Sequence, residues 1–410
     1  MTRHVIIGNG VAGLNAAEAI RALDPDADLT MIAGESFPPY SRPMISLLLE
    51  GAVKPDQLRI RGDDYCQNLK MECLTGHQVV KLDPDNRTVE TDQGTTVPYD
   101  RLLIATGANP RPIKAENTGL ENISFMRTEA HVARMIQALD GVKKALVLGG
   151  GLVGFKAAYA LMKRGVAVTM LIRSEHPLVM QVDTEAGQLI LNELVARGLD
   201  VRVEIEAVAF DGNGLVQEAH LSDGSRLPCD LVVVGKGVLP AVDFVPRDRI
   251  EVDLGIRVDH NLRTTVPDVF AAGDVAESVD LVRKAPWVNA IWPVAVEQGR
   301  TAGMNMAGRP VRYPGSMGRN VIRVFHLDVL TGGMVNPPAT GEYGMVKRLD
   351  PVRKTYRKLI FRGDLLVGLV MVGDIEQGGV YLSLMQRQIP LSVKPERLLA
   401  PNFNFGQLMP

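Results

Sequence analysis

The chain has 410 residues, 46% hydrophobic and 22% charged, which allows two or three domains with buried cores rather than one. Its 45 basic and 47 acidic residues leave a formal charge of −2, so no net field attracts nucleic acid, and we predict no such partner. The chain enters a strand at once, without a signal-peptide pattern, and no apolar stretch is typical of a membrane span. We therefore expect a cytoplasmic protein with no membrane insertion.

The three cysteines are Cys66, Cys73 and Cys229. They are too few and too scattered for a disulfide framework or an iron–sulfur cluster, which suits a reducing cytoplasm. We expect Cys66 and Cys73 to be core thiols rather than a redox couple. The seven histidines show no metal-ligand clustering, so we predict no metal.

A glycine-rich turn follows the first predicted strand. Its pattern is Gly8-x-Gly10-x-x-Gly13, and it opens a predicted helix over Val11–Leu23. Amide N–H groups at such a helix start can hold a pyrophosphate. Glu35, 22 residues after Gly13, is placed to accept hydrogen bonds from ribose hydroxyls. One such motif alone is equally compatible with a packing turn that binds nothing.

The same pattern occurs a second time, as Gly149-x-Gly151-x-x-Gly154, again between a strand and a helix. Two copies predict two dinucleotides. Arg173, at the end of the next strand, could meet a 2′-phosphate or be a solvated side chain beside Glu175, so the choice between NADH and NADPH stays open. The predicted NAD(P)-binding residues are Gly149, Gly151, Leu152, Val153, Gly154, Arg173 and Gly235.

The order of elements predicts one domain inserted in another. Short strand patterns at Gln78–Leu82, Thr88–Thr91 and Tyr99–Ala105 follow the first motif, and Asp230–Val234 completes the second. We expect an α/β fold with two Rossmann-like domains and a small C-terminal α+β domain. The predicted boundaries are 1–114 with 246–314 for the first dinucleotide-binding domain, 115–245 for the second and 315–410 for the C-terminal domain.

Three further segments resemble the pyridine nucleotide-disulfide reductase superfamily. They are Leu103–Gly107, Thr264–Asp274 and Trp292–Gly299. The resemblance implies that Asp274 holds the ribityl chain of FAD and that a helix starts at Trp292 beneath the flavin. Trp287 and Trp292 either line the ring or belong to the core. The FAD-binding residues implied are Gly8, Gly10, Gly13, Glu35, Arg42, Ala105, Thr106, Gly107, Gly273, Asp274 and Val294.

The segment Pro39–Ser46 is similar to the ferredoxin, rubredoxin and nitrite reductase branch, which lacks the redox disulfide. Two positions depart from the family pattern. Leu47 stands where the branch commonly has lysine, and Lys156 stands where the family often has a glutamate near the nicotinamide. Lys156 is therefore either close to the nicotinamide or a structural helix residue. The flavin-proximal candidates are Arg42, Ser46, Lys156 and Trp292.

Basic residues cluster in the C-terminal region, between Lys347 and Arg362, with Asp350 as the sole acid in that span. This run either steers an acidic electron carrier or is a solvated face. In the family this region often forms a homodimer, which we also expect here.

These features predict an FAD-dependent NAD(P)H oxidoreductase. Hydride would pass between nicotinamide C4 and flavin N5, and the electrons would be exchanged with a ferredoxin-like, rubredoxin-like or other iron–sulfur protein or subunit. The alternatives are an NAD(P)H oxidase or quinone reductase, and a redox-sensing scaffold that binds FAD and NAD(P).

Overall fold

The computed structural model describes residues 1–35, 38–400, 403 and 406. Over these residues the strands are β1 (Arg3–Ile7), β2 (Asp28–Ala33), β3 (Glu72–Thr75), β4 (Val79–Asp83), β5 (Thr88–Thr91), β6 (Thr96–Pro98), β7 (Arg101–Ile104), β8 (Ala108–Pro110), β9 (Ile123–Phe125), β10 (Lys144–Leu148), β11 (Ala167–Ile172), β12 (Asp200–Val203), β13 (Ala207–Asn213), β14 (Leu215–Leu221), β15 (Arg226–Pro228), β16 (Leu231–Val234), β17 (Val238–Pro240), β18 (Ile256–Arg257), β19 (Val269–Ala271), β20 (Ala276–Val279), β21 (Pro286–Trp287), β22 (Arg319–Val324), β23 (Leu327–Gly333), β24 (Tyr343–Asp350), β25 (Thr355–Arg362) and β26 (Leu365–Val372).

The α-helices of the same residues are α1 (Val11–Leu23), α2 (Ile45–Glu50), α3 (Tyr65–Asn68), α4 (Glu129–Ala138), α5 (Leu152–Lys163), α6 (Thr184–Ala196), α7 (Trp292–Met306) and α8 (Gly378–Arg387). Short 3-10 helices occupy Arg42–Met44, Pro55–Leu58 and Pro395–Leu399. Within the described part of the chain, no helix has both the length and the apolar character needed to cross a bilayer.

The first compact unit comprises Met1–Ser41, Arg59–Asn109 and Val238–Gly318. Its central sheet is parallel, in the order β19-β7-β1-β2-β3. Successive residues of β1 enter different cores: Ile6 packs in the cluster that contains α1 residues, whereas Val5 packs in a second cluster. A parallel sheet with apolar side chains on both faces is covered by other elements on both sides. Because β1 is the middle strand of this sheet and contributes to both clusters, it lies at the centre of the unit.

The second unit comprises Arg42–Leu58, Pro110–Gly237 and Arg319–Pro410. It contains a second parallel sheet, in the order β12-β11-β10-β16-β9. In both parallel sheets the strand before the glycine turn lies between the strand that follows the helix and one that arrives later in the chain. The internal repeat predicted from the sequence is thus a repeat of topology.

The second unit also holds an antiparallel sheet, in the order β22-β23-β26-β25-β24, with α8 packed against it. Gly363 has φ +61° in the turn between β25 and β26, a conformation that favours glycine. This sheet accounts for the strand-rich C-terminal region expected from the sequence.

The predicted fold class is confirmed: two Rossmann-like parallel sheets and a smaller α+β part. The predicted helix over Val11–Leu23 has the bounds of α1. The three-domain boundaries stay a prediction, and Arg42–Leu58 groups with the second unit. Residues 401–402, 404–405 and 407–410 of the predicted C-terminal domain lie outside the described residues.

Candidate cofactor sites

Each glycine of the first motif meets a different physical requirement. Gly8 has φ +112°, and a Cβ there would lie 2.3 Å from the Ala105 carbonyl oxygen. A Cβ on Gly13 would lie 2.0 Å from the Gly8 carbonyl oxygen. At Gly10, by contrast, a Cβ would meet no described atom within 4 Å. Gly8 and Gly13 are therefore required by the protein's own packing, whereas Gly10 borders open space that a ligand can approach.

In the second motif, the distances from a Cβ to its nearest atoms follow the same pattern as in the first. Gly149 has φ +110°, and its Cβ would lie 2.6 Å from the Gly235 carbonyl oxygen. A Cβ on Gly154 would lie 2.0 Å from the Gly149 carbonyl oxygen, and one on Gly151 would lie 4.0 Å from its nearest neighbour, the Gly235 oxygen. Gly235, predicted from the sequence, thus packs directly behind this turn.

Both turns lead into a helix whose start has no side-chain cap. Gly10 is the N-cap of α1 and Gly151 is the N-cap of α5, and neither helix has an acidic residue in its first turn. The first N–H groups of each helix therefore remain available, and the helix dipole favours an anion. Leu152 and Val153, predicted to contact NAD(P), are the first two residues of α5.

Glu35 and Arg173, the two residues predicted to contact the ribose ends of the dinucleotides, lie just beyond β2 and β11 respectively. Glu35 follows β2 by two residues and accepts a hydrogen bond from Tyr40 Oη at 2.5 Å. Arg173 is exposed directly after β11. No ion pair joins Arg173 to Glu175 among the described residues, and the Glu175 carboxylate instead accepts from Thr184 Oγ1 at 2.9 Å.

The segments matched to the flavin site lie in the first unit. Thr106 Oγ1 donates to the Ala241 carbonyl at 2.8 Å, and Gly107 has φ +71° after the buried Ala105. Gly273 has φ +82°, and its N–H donates to the buried Gln298 Oε1 at 2.8 Å. These bonds fix the two turns that precede Ala108 and Asp274.

Helix α7 begins at Trp292, as predicted. It crosses α1 at very short range: a Cβ on Gly299 would lie 2.1 Å from the Ala12 carbonyl oxygen. Val294 is buried. Trp292 is half-buried at the helix start, and Trp287 is half-buried beneath Arg283, whose guanidinium carbon lies 4.1 Å from the ring centre. Neither tryptophan is fully enclosed in the core.

The three remaining flavin-proximal candidates belong to the second unit, and all three lie at or near the start of α2. Arg42 Nη1 donates to the Arg127 carbonyl at 2.8 Å, and Ser46 is buried within α2. Lys156 Nζ donates to the Pro43 carbonyl at 3.4 Å. The Lys156 side chain reaches solvent, yet burial of its ammonium group lowers the pKa of Lys156 below its ordinary value.

The expectation that Cys66 and Cys73 are separate core thiols is wrong. Their sulfurs form a disulfide that joins α3 to β3, between positions seven apart in the sequence. The pair packs against the core cluster that includes α1. Cys229 is the free cysteine, and its burial raises the pKa of its thiol to about 12. Sequence spacing missed the pairing because the turn between α3 and β3 brings the two Cα atoms to 6.4 Å.

The basic C-terminal run is in large part an internal ion-pair network, which the sequence did not indicate. The buried Lys358 pairs with Asp183 at 2.9 Å, and Tyr356 Oη donates to the same carboxylate at 2.7 Å. Further along, Lys347 pairs with Glu185 and Lys354 with Glu193. Burial alone would raise the pKa of Asp183, but the bonds from Tyr356 and Lys358 outweigh it and lower that pKa. These bonds tie β24 and β25 to α6.

One histidine lies beside two carboxylates. His220 Nε2 is 2.6 Å from Asp211 and 3.8 Å from Glu218, and Glu218 also pairs with Arg226 at 3.1 Å. The histidine's hydrogen bond and the arginine ion pair account for this partly exposed group, so we assign no metal to it.

The fold and the paired turns define a protein with two dinucleotide-binding folds and an additional C-terminal sheet. Residues 2–299 match the family model for pyridine nucleotide-disulphide oxidoreductases, and residues 319–389 match the rubredoxin NAD+ reductase C-terminal domain. The chain therefore belongs to the pyridine nucleotide-disulphide oxidoreductase family.

Three relatives show the range of proteins to which the chain is similar. It is 31% identical to the epsilon subunit of NADH-dependent phenylglyoxylate dehydrogenase of Aromatoleum evansii, over 99% of this chain and 96% of the relative. It is 33% identical to the ferredoxin–NAD(+) reductase component of the biphenyl dioxygenase system of Paraburkholderia xenovorans, over 66% of each. It is 29% identical to nitrite reductase [NAD(P)H] of Bacillus subtilis, over 95% of this chain but 48% of the relative.

The chain thus spans about half the length of the first curated relatives that it matches. Among solved structures, the covalent putidaredoxin reductase–putidaredoxin complex matches with a TM-score of 0.88 and 23% identity, over 99% of this chain and 98% of that chain. At that identity the match supports the fold alone.

Proposed function

We propose that this chain is an FAD-dependent NAD(P)H oxidoreductase that exchanges electrons with an iron–sulfur or rubredoxin-type protein. The observation that carries the proposal is the duplicated turn. In both copies the outer glycines are held by contacts within the protein, while the middle glycine borders open space at an uncapped helix start. Two sites of this kind fit two pyrophosphates, one in each unit.

The first unit would hold FAD. The open position at Gly10 suits the pyrophosphate, and Glu35 suits a ribose. Asp274, after the turn fixed by Gln298, would accept hydrogen bonds from the ribityl chain, and the start of α7 would face the flavin ring. Contacts from Ala105, Thr106, Gly107 and Val294, all of this unit, belong to the same proposal.

The second unit would hold NADH or NADPH at Gly151 and the start of α5. Arg173 is exposed and has no ion pair among the described residues, which supports the proposal that it binds the 2′-phosphate if the nucleotide is NADPH. When bound, the two cofactors supply the redox chemistry, a hydride passing between nicotinamide C4 and flavin N5. The contribution of the chain is to bind and orient them.

The acceptor would take electrons without a dithiol of this chain in between. Helix α2 and the segment before it, residues 39–50, contain no cysteine. The disulfide of Cys66 and Cys73 lies instead on the edge strand β3, where Cys73 pairs with Met31 in the middle of β2 rather than at its carboxyl end. Ligands of parallel sheets bind at the carboxyl ends of the strands.

A protein partner is supported by the match to a rubredoxin reductase C-terminal domain and by the similarity to a ferredoxin–NAD(+) reductase component. The similarity to a dehydrogenase subunit also supports the proposal that the chain acts as a subunit of a larger complex. We also propose a homodimer, a cytoplasmic location, and the domain boundaries 1–114 with 246–314, 115–245 and 315–410.

The test is steady-state turnover of the FAD-loaded protein with NADH and with NADPH, using rubredoxin, ferredoxin, a quinone or oxygen as acceptor. The proposal predicts fast turnover with an iron–sulfur or rubredoxin-type acceptor and slow turnover with oxygen. Equally fast turnover with oxygen or quinone alone would identify an oxidase or quinone reductase instead. A strong preference for NADH would remove the proposed role of Arg173.

A further inference from the structure

A cavity of about 210 Å³ that opens to solvent lies in the second unit, between α5 and β22. On the α5 side it is lined by Leu152, Phe155, Lys156 and Tyr159. These positions share one helix face because they are spaced by three and four residues. The opposite wall is the strand and turn Val321–Phe325. The cavity therefore lies between the helix that follows the second glycine motif and the C-terminal sheet.

The walls of this cavity are apolar and aromatic. The rings of Tyr159 and Phe325 meet edge to face, with centres 5.4 Å apart and planes at 67°. Phe325 has φ +54°, a left-handed conformation that is disfavoured for a bulky side chain. With this backbone conformation, the Phe325 ring forms part of the cavity wall. Such a wall suits a flat apolar group.

The charge of the cavity has one sign. Its lining includes Lys156 and Arg323 and no acidic residue. Arg323 is already neutralised by Asp328, with bonds of 2.7 and 2.9 Å. Lys156 has no ion pair among the described residues, and its ammonium group donates a hydrogen bond of 3.4 Å to the Pro43 carbonyl. Lys156 is thus a cation beside an apolar cavity and has no ion-pair partner among the described residues. This charge is complementary to the carboxylate of an acid.

We propose that this cavity binds a small organic acid, with an aromatic or branched apolar body in the cavity and one carboxylate paired with Lys156. An apolar cavity of about 150 Å³ is large enough to hold benzene, so about 210 Å³ fits a single ring with a short acid side chain. It is too small for a dinucleotide. This ligand is distinct from FAD and NAD(P). Because the lining includes Leu152, which is also predicted to contact NAD(P), the test includes NAD+ as a competitor.

The experiment is isothermal calorimetry on the FAD-loaded protein with phenylacetate as the probe and phenylacetamide as its neutral counterpart. Val321 lines the cavity but is 61% exposed, so a polar side chain is tolerated there. Val321→Glu adds a carboxylate to the wall, and Val321→Gln is its neutral control of the same shape. No turnover is measured, so the result is separate from that of the function assay.

We expect phenylacetate to bind with a dissociation constant of about 1 mM or tighter. Val321→Glu should weaken it at least tenfold and Val321→Gln less than twofold. Phenylacetamide should bind at least tenfold more weakly than phenylacetate, and Lys156→Met should abolish that preference.

Three results would overturn the proposal. They are the absence of binding heat, equal affinity in Val321→Glu and Val321→Gln, and competitive displacement of phenylacetate by NAD+. The last result would assign the cavity to the nucleotide site.

Discussion

Substituting Gly151 by alanine separates cofactor binding from folding at the second motif. A Cβ at this position would touch nothing in the protein closer than 4.0 Å, which is ordinary van der Waals contact. Gly151 also has φ −91°, a value open to any residue. The added methyl group would therefore take up open space at the N-cap of α5, where the pyrophosphate is proposed to bind.

Two energies follow from this geometry. Within the protein, alanine in place of an N-cap glycine costs about 1 kcal/mol or less. For the nucleotide, losing one hydrogen bond to a charged group costs about 1.5 to 3 kcal/mol. Since each 1.4 kcal/mol is a factor of ten in affinity, Gly151→Ala should weaken NADH binding by about 10- to 100-fold.

The assay is the NADH dissociation constant from titration of the FAD-loaded protein, with the melting temperature measured alongside. Gly119→Ala is the matched control, because it makes the same change in the same unit with no atom within 4 Å. Gly10→Ala should give the reciprocal result, loss of FAD with NADH binding retained. Unchanged NADH affinity in a stably folded Gly151→Ala protein would refute the assignment of this turn.

Three further predictions concern stability and thiol chemistry. Burial, and then the charge of Arg101, lower the pKa of His4 from 6.5 to about 4. The free energy of unfolding should therefore have its full value above pH 6.5 and fall by about 3 kcal/mol as the pH drops to 4. The reason is that the unfolded chain takes up the proton at a higher pH than the folded chain does. Denaturant unfolding at each pH measures this, and an equal slope in His4→Leu would contradict it. Asp183→Asn leaves Lys358 buried without its anion and should destabilise the second unit by about 3 kcal/mol, seen as increased hydrogen exchange in α6 and β25, whereas a neutral effect would exclude the network as a stabilising feature. Thiol titration in denaturant without reductant should find one thiol rather than three, and three would disprove the disulfide.

The glycine turns could be predicted from the sequence because their requirements are local. Positive φ at Gly8 and the contact between Gly13 and Gly8 depend on residues within one strand, turn and helix, and the spacing of the motif encodes them. The bounds of α1 and the strand β5 follow from the same local patterns. Their repetition near residue 149 made the two-site interpretation specific.

Features that depend on tertiary proximity were not predictable. The bond between Cys66 and Cys73 needs the turn that carries α3 back to β3, and spacing alone does not reveal it. The pairing of Lys358 with Asp183 joins positions 175 residues apart, so a basic run in the sequence says nothing about the acids it will meet. The cavity beside Lys156 likewise requires β22 to pack near α5.

The measurement that tests the central claim most directly is anaerobic stopped-flow absorbance of the FAD-loaded protein after mixing with NADH or NADPH. The account predicts fast bleaching of the flavin band with at least one nucleotide, slowed in Gly151→Ala at subsaturating nucleotide and restored by raising its concentration. A protein that binds FAD but is reduced by neither nucleotide would contradict the account and favour a redox-sensing scaffold.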